Sequence, residues 1–220
     1  NTTASYNVAV GYGALQANTT TANNTALGHA ALYTNTAADN TALGYRAMYA
    51  NSTGNVNVAV GKEALTLNTT GAGNTAVGSS ALAANTTASN NTALGYYALQ
   101  ANTTGANNTV VGSIAGDAIT TGSANTLFGY NAGSAITTGD GNTAFGKDAL
   151  ELNTSGVNTA FGGNALAAVT TGTGNTAVGQ DALGANTSNR NTAVGALALT
   201  ANTTGDTNTA VGENSGTAPA

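Results

Sequence analysis

The sequence predicts an all-β fold: a parallel β-solenoid of the β-roll or β-helix type, with about 13 coils of 16–17 residues. Three observations carry this. The motif Asn-Thr-Ala-Val-Gly, clearest at residues 74–78, recurs with its glycine at Gly11, Gly28, Gly44, Gly61, Gly78, Gly95, Gly112, Gly129, Gly146, Gly162, Gly179, Gly195 and Gly212. The steps are 17 residues nine times and 16 three times, too short for helical-pair repeats of about 33–47 residues. Thr, Val and Asn, which dominate the fixed phases, are poor helix formers.

Counted from the motif Asn as position 1, the consensus is N-T-A-V-G-x-x-A-L-x-x-N-T-T-G-x-x. Position 1 is Asn in every copy: Asn7, Asn24, Asn40, Asn57, Asn74, Asn91, Asn108, Asn125, Asn142, Asn158, Asn175, Asn191 and Asn208. Position 2 is Thr except at Val8 and Val58, position 3 is Ala except at Val110 and Leu127, and position 4 is always apolar, from Val10 to Phe161. This reads as a short strand, with positions 2 and 4 on one face and 1 and 3 on the other. The Thr/Val exchange at position 2 suggests that its face is the interior. Positions 8–14 are expected to form a second strand or extended side. Glycines at positions 5 and 15 mark turns that need φ > 0 or close backbone approach. Stacked at roughly 4.8 Å, the coils make a rod of about 60 Å.

Position 9 is Leu or Met except at Gly116, Gly133 and Gly216. In the first two of these coils position 12 changes from Asn to Ile119 and Ile136, so a lost apolar group is replaced within the same coil. Positions 9 and 12 are therefore expected to face inward together. The Asn columns at positions 1 and 12 and the Thr/Ser column at position 13 are expected to be ladders whose polar groups satisfy one another up the stack.

A thin coil buries few apolar side chains against the entropy of ordering 17 residues. The Ala columns at positions 3 and 8 look like flat faces for close packing between chains. A homo-oligomer is expected, a parallel trimer first. Uncapped ends would invite head-to-tail stacking into a filament. Residues 1–215 are expected to form one solenoid domain and 216–220 a tail or linker, with Pro219 either ending the solenoid or starting the linker. Asn1 falls mid-repeat, as in a piece of a longer chain.

Composition excludes several functions. Charged residues are 6% of the chain, net charge is -5, and the basic residues Arg46, Lys62, Lys147 and Arg190 are scattered, so nucleic acid is not an expected partner. The absence of Cys removes disulfides and thiolate chemistry, and no stretch reads as a membrane span or signal peptide.

The copies at residues 7–11 and 57–61, Asn-Val-Ala-Val-Gly, resemble the S-V-A-I-G core of the YadA-like head repeat of trimeric autotransporter adhesins, and Ala14 and Ala64 match its small-residue position. The fuller pattern is similar to repeat arrays of phage-tail-fibre-like and bacterial surface proteins. The resemblance implies a left-handed parallel β-roll, a homotrimer, and binding of a host-surface ligand. The period is longer than that of the adhesin head, so the coil cross-section is expected to differ.

No catalytic, cofactor or metal site is expected. His29 is the only histidine and lies in a turn, the acidic residues are dispersed, and Asp148 with Glu151 lacks any sign of a shaped cleft. Calcium-binding rolls carry an Asp in each turn, which these repeats lack. Candidate recognition residues are Tyr12, Tyr45, Tyr96 and Tyr130 at position 6, which would stack on a surface glycan, pack between neighbouring rods or simply shield turns; Tyr97 lies at position 7, and Tyr33 and Tyr49 at position 10. Asn-x-Ser/Thr acceptors fall at position 12 (Asn1, Asn18, Asn51, Asn68, Asn85, Asn102, Asn153, Asn186, Asn202), expected inside, and at position 17 (Asn23, Asn90, Asn107), expected in a turn. The function expected is a non-enzymatic extracellular or cell-surface fibre, adhesin or tail-fibre shaft, or self-assembling filament. The alternative is an ice-binding or glycan-binding repeat protein; for ice, the adjacent threonines at positions 13 and 14 point opposite ways.

Overall fold

The computed structural model describes residues 4–154 and 156–217; the expectations placed on Asn1 and Pro219 lie outside these. Thirteen three-residue strands, from β1 (Val8–Val10) to β13 (Thr209–Val211), pair in sequence order into one parallel sheet. The chain is an all-β solenoid. The register is motif on motif: Val58 opposes Thr75, Ala59 opposes Ala76 and Val60 opposes Val77. The 16-residue steps keep it, Thr25 opposing Thr41 and Thr143 opposing Thr159. The missing residue falls in a turn. In the Asn24 coil Asn35 reaches the carbonyl two residues on, at Ala37, where Asn51 reaches three residues on, to Gly54.

Coils are bonded to each other well beyond the strands. In the Asn57 coil, Val58, Leu65, Leu67 and Thr69 donate their N–H groups forward to carbonyls of Asn74, Ala81, Ala83 and Thr86. Gly61, Glu63 and Gly73 donate backward to Leu43, Tyr45 and Asn55. The backbone thus resolves its obligatory hydrogen bonds around much of the perimeter.

The second strand expected over positions 8–14 does not form. Positions 7 and 9 take the left-handed conformation instead, as in Glu63 (φ 56°) and Leu65 (φ 53°). The left-handed residues on either side of position 8 turn the chain, and the position-9 side chain sits in the core. This conformation is unfavourable by about 1–2 kcal/mol per non-glycine residue, which the fully buried Leu32, Leu65, Leu82 and Leu99 offset by burial.

The strand faces are the reverse of the sequence expectation. Positions 1 and 3 point inward, and positions 2 and 4 outward. Ala26, Ala42, Ala59 and Ala76 are 0% exposed, whereas Val10 is 54%, Leu27 46% and Phe161 40% exposed. Position 3 must be small because position 9 fills the facing space: a Cβ on Gly216 would stand 3.4 Å from Ala210 Cβ. Alanines at position 8, such as Ala31 and Ala64, are also fully buried. Both Ala columns are core, so neither is a surface for another chain. Positions 9 and 12 face inward together, as expected, with Ile119 and Ile136 fully buried.

The Asn columns are interior ladders. Asn68 Nδ2 donates to Asn51 Oδ1 (2.7 Å) one coil back and to Gly71 O (3.0 Å) in its own coil. The same Gly71 carbonyl accepts from Asn57 Nδ2 (2.9 Å), so two buried amides converge on one oxygen and close the coil. Asn57 Oδ1 accepts from Asn74 N (2.8 Å) in the next coil. Every polar group of the pair has a use, as burial requires. The position-12 ladder stops where Ile119 replaces Asn, and Asn102 Oδ1 there has no hydrogen-bond partner. The position-13 column is a ladder of hydroxyls onto carbonyls, Thr69 donating to Thr86 O and Thr86 to Thr103 O.

Candidate functional site

Because the interior is occupied by ladders and packing, any functional surface is made from the residues that point out. Among the described residues these include the turn at positions 6–7, the shallow side at positions 10–11, the last turn, and the outer face of the sheet.

At position 6 the expected tyrosines are exposed, but three of the four lie against another ring. His29 is stacked between Tyr12 and Tyr45, with centroids 5.3 and 5.4 Å apart. Tyr96 leans on Tyr97 at 4.0 Å. A side-chain hydrogen bond with Tyr97, then burial, raises the Tyr96 phenol above its ordinary pKa. Tyr130 is 52% exposed and stands one coil from Lys147 rather than from another ring. The structure therefore separates the four residues: Tyr12 and Tyr45 build a ring stack along the rod through His29, Tyr96 is tilted against Tyr97 within its own coil, and Tyr130 presents its ring singly. Stacking on identical phases one coil apart is what the strand spacing dictates.

On the side at positions 10–11, Tyr33 and Tyr49 stack at 5.1 Å, and Arg46 lies over the Tyr49 ring at 4.5 Å. Beyond them small residues leave an open groove of about 410 Å³ floored by Ala83, Ala84 and Ala101, with Arg46 at one end and Gln100 at the other. Asp117 lies in this column too. Burial pushes its carboxyl above the usual carboxylate range, against partial lowering by hydrogen bonds from its own N–H and that of Ala118.

Asp148 accepts from Asn131 Nδ2 (2.9 Å) and pairs with Lys147 (3.2 Å), so its hydrogen-bonding capacity goes into neighbouring turns. Among the described residues no group of three or more His, Cys, Asp or Glu side chains is placed to hold a metal ion. No helix among them is long and apolar enough to cross a membrane. Of the glycosylation acceptors, Asn51, Asn68, Asn85 and Asn102 are completely buried, while Asn23, Asn90 and Asn107 are exposed in the last turn.

The surface that sequence reasoning missed is the outer face of the sheet. Its position-4 column runs the length of the stack, beside the half-buried position-2 threonines. At its centre Phe128, Phe145 and Phe161 stack in parallel at 4.7 and 4.8 Å. Two sequence signals point to it. Position 3 is held to Ala in eleven coils of thirteen, as a filled interior demands, whereas position 4 ranges freely from Val to Phe, as only an outer face allows. Compared with family models, with curated proteins and with solved structures, the chain gives no significant match.

Proposed function

We propose that the chain is a non-enzymatic structural rod: a fibre or shaft segment of the adhesin or tail-fibre kind, working at a cell surface, on a virion tail or otherwise outside the cell as an assembly of its own copies. The supporting observation is the unbroken in-register stack, in which each coil is tied to the next by backbone bonds, amide ladders and a continuous core. Such a body transmits length and stiffness, and repeats each turn residue at the strand spacing. The cell-surface placement draws on the resemblance of the Asn-Val-Ala-Val-Gly copies to adhesin heads, and exposed acceptors at Asn23, Asn90 and Asn107 are compatible with it.

The ice-binding and glycan-binding readings have less support. Position-13 hydroxyls are spent on carbonyls of the next coil, and Tyr12 and Tyr45 each have one ring face spent on His29. Electron micrographs of the purified protein test the rod reading. Particles of uniform width whose length grows by about 60 Å per chain in end-to-end contact are expected. Round particles without a long axis would remove it.

A further inference from the structure

We infer that the outer face of the sheet is an interface between two copies of this chain, lying face to face with their rods antiparallel. The inference rests on the structural-rod reading and names the partner and the surface. Every one of the thirteen repeats places an apolar side chain at position 4, and all four basic and nine acidic residues lie at positions 6, 7, 10 or in the last turn. Covering the sheet face therefore desolvates no charge, which is the usual obstacle to burying a protein surface. The face is three residues wide and thirteen strands long. At the spacings of a sheet that is roughly 600 Å² per copy and about 1,200 Å² in a pair, at the lower end of specific interfaces. Position 2 is Thr in all but two coils, so the face pairs an apolar column with a threonine column, and its size is at the upper end of the patches a monomer ordinarily leaves in water.

Symmetry and side-chain volume select the orientation. A two-fold axis along the rod would lay the apolar column of one copy over the position-2 threonines of the other. A two-fold axis parallel to the strands sets the apolar column on the apolar column, and it reverses one rod relative to the other. With that axis at Val111, Phe128 opposes Leu94, Phe145 opposes Val77 and Phe161 opposes Val60. Every large side chain then meets a smaller one, and Leu27 and Leu43 also meet valines, at Val194 and Val178. Parallel copies in register would instead set Phe128, Phe145 and Phe161 against Thr126, Thr143 and Thr159 of the second copy, leaving the apolar column without an apolar partner. The occupant is thus a second copy, in a register that the Phe block defines.

The test is the association state of the full 220-residue chain by analytical ultracentrifugation, with circular dichroism as the check on folding. The wild type is expected to be a dimer. Val111→Lys is expected to weaken it on the order of 100-fold, by setting like charges together at the axis, while Thr66→Lys on the other side leaves it unchanged. Orientation is read from a charge swap: Val60→Lys with Phe161→Glu in one chain restores the dimer only if residues 60 and 161 face each other, and Val60→Lys with Phe161→Lys does not. A trimeric wild type, equal behaviour of the two double variants, or a dimer indifferent to Val111→Lys contradicts the inference. A monomeric wild type also contradicts it. If that monomer showed thermal hysteresis, the face would belong to ice. Monomers that are still rod-shaped in micrographs would leave the structural-rod reading standing and remove only the interface.

Discussion

The terminal methyl of Ile119 lies 3.0 Å from the point where a Cβ on Gly116 would stand, so the side chain missing at position 9 is replaced by one that reaches over from position 12. Leu127 Cδ1 lies 2.9 Å from the same point, and its two terminal methyls lie 3.0 and 3.1 Å from the matching point on Gly133. One leucine, in a column otherwise almost all alanine, thus fills space left by two glycines. Removing it in Leu127→Ala is expected to cost about 3–5 kcal/mol, at the upper end for a buried leucine because two coils lose their filling. In that background Gly116→Ala should be less harmful than in the wild type, with a coupling of about 1 kcal/mol or more in a denaturation double-mutant cycle. Strict additivity would count against the trade.

The position-5 glycines are fixed by two independent constraints. Gly61 has φ +131°, and a Cβ there would stand 2.6 Å from Gly78 O in the next coil. Gly61→Ala is expected to cost several kcal/mol, beyond the ~1 kcal/mol of backbone strain alone, since the obstacle is backbone that cannot yield without parting the coils. Gly163 has ordinary φ and only Lys147 O at 3.9 Å, so Gly163→Ala should leave the thermal midpoint nearly unchanged. Equal effects would show that the column is not close-packed.

Most last-turn residues that take the left-handed conformation are Asn, Asp or Gly, which tolerate it, but Val56 is β-branched and holds φ 57° while 59% exposed. Val56→Asn is expected to raise stability by about 1 kcal/mol, with little packing to lose. A loss of stability in urea unfolding would mean that the turn is not left-handed there.

Asp117 makes stability fall with pH. Burial raises its carboxyl pKa in the folded chain above the unfolded value, near 3.9. The protonated form is therefore favoured by folding. Its contribution is fully present below about pH 3.9 and is lost as pH rises through the folded value. Asp117→Asn should unfold at a higher temperature than the wild type at pH 7, with the difference vanishing below about pH 3.5. A difference that grows on acidification would reverse the sign and refute the assignment.

Register, the Asn ladders, the close-packed glycines and the exchange between positions 9 and 12 were all legible in the sequence, because each is a constraint one coil imposes on the next at fixed phase. Which strand face points inward was not. Period-two alternation leaves two choices, and the Val8 and Val58 exchanges suggested the wrong one; the near-invariance of Ala at position 3 beside the Val-to-Phe range at position 4 was the better guide. The left-handed leucines at position 9 were hidden for a different reason. Local preference opposes that conformation, and only the buried contacts of residues such as Leu65 and Leu82 sustain it. The outer apolar face followed from the same error, since a column assigned to the core is not sought on the surface.

The central claim, one repeat per strand spacing, is open to one direct measurement. The chain has no cysteine, so paired spin labels can be set at position 10 by Gln16→Cys with Gln100→Cys, Glu151→Cys or Thr200→Cys, which lie five, eight and eleven coils apart. Pulsed electron spin distances, measured with labelled chain diluted in unlabelled chain, are expected near 24, 38 and 53 Å, at ~4.8 Å per coil. Distances that fail to grow in proportion to the number of intervening repeats would contradict the stacked rod.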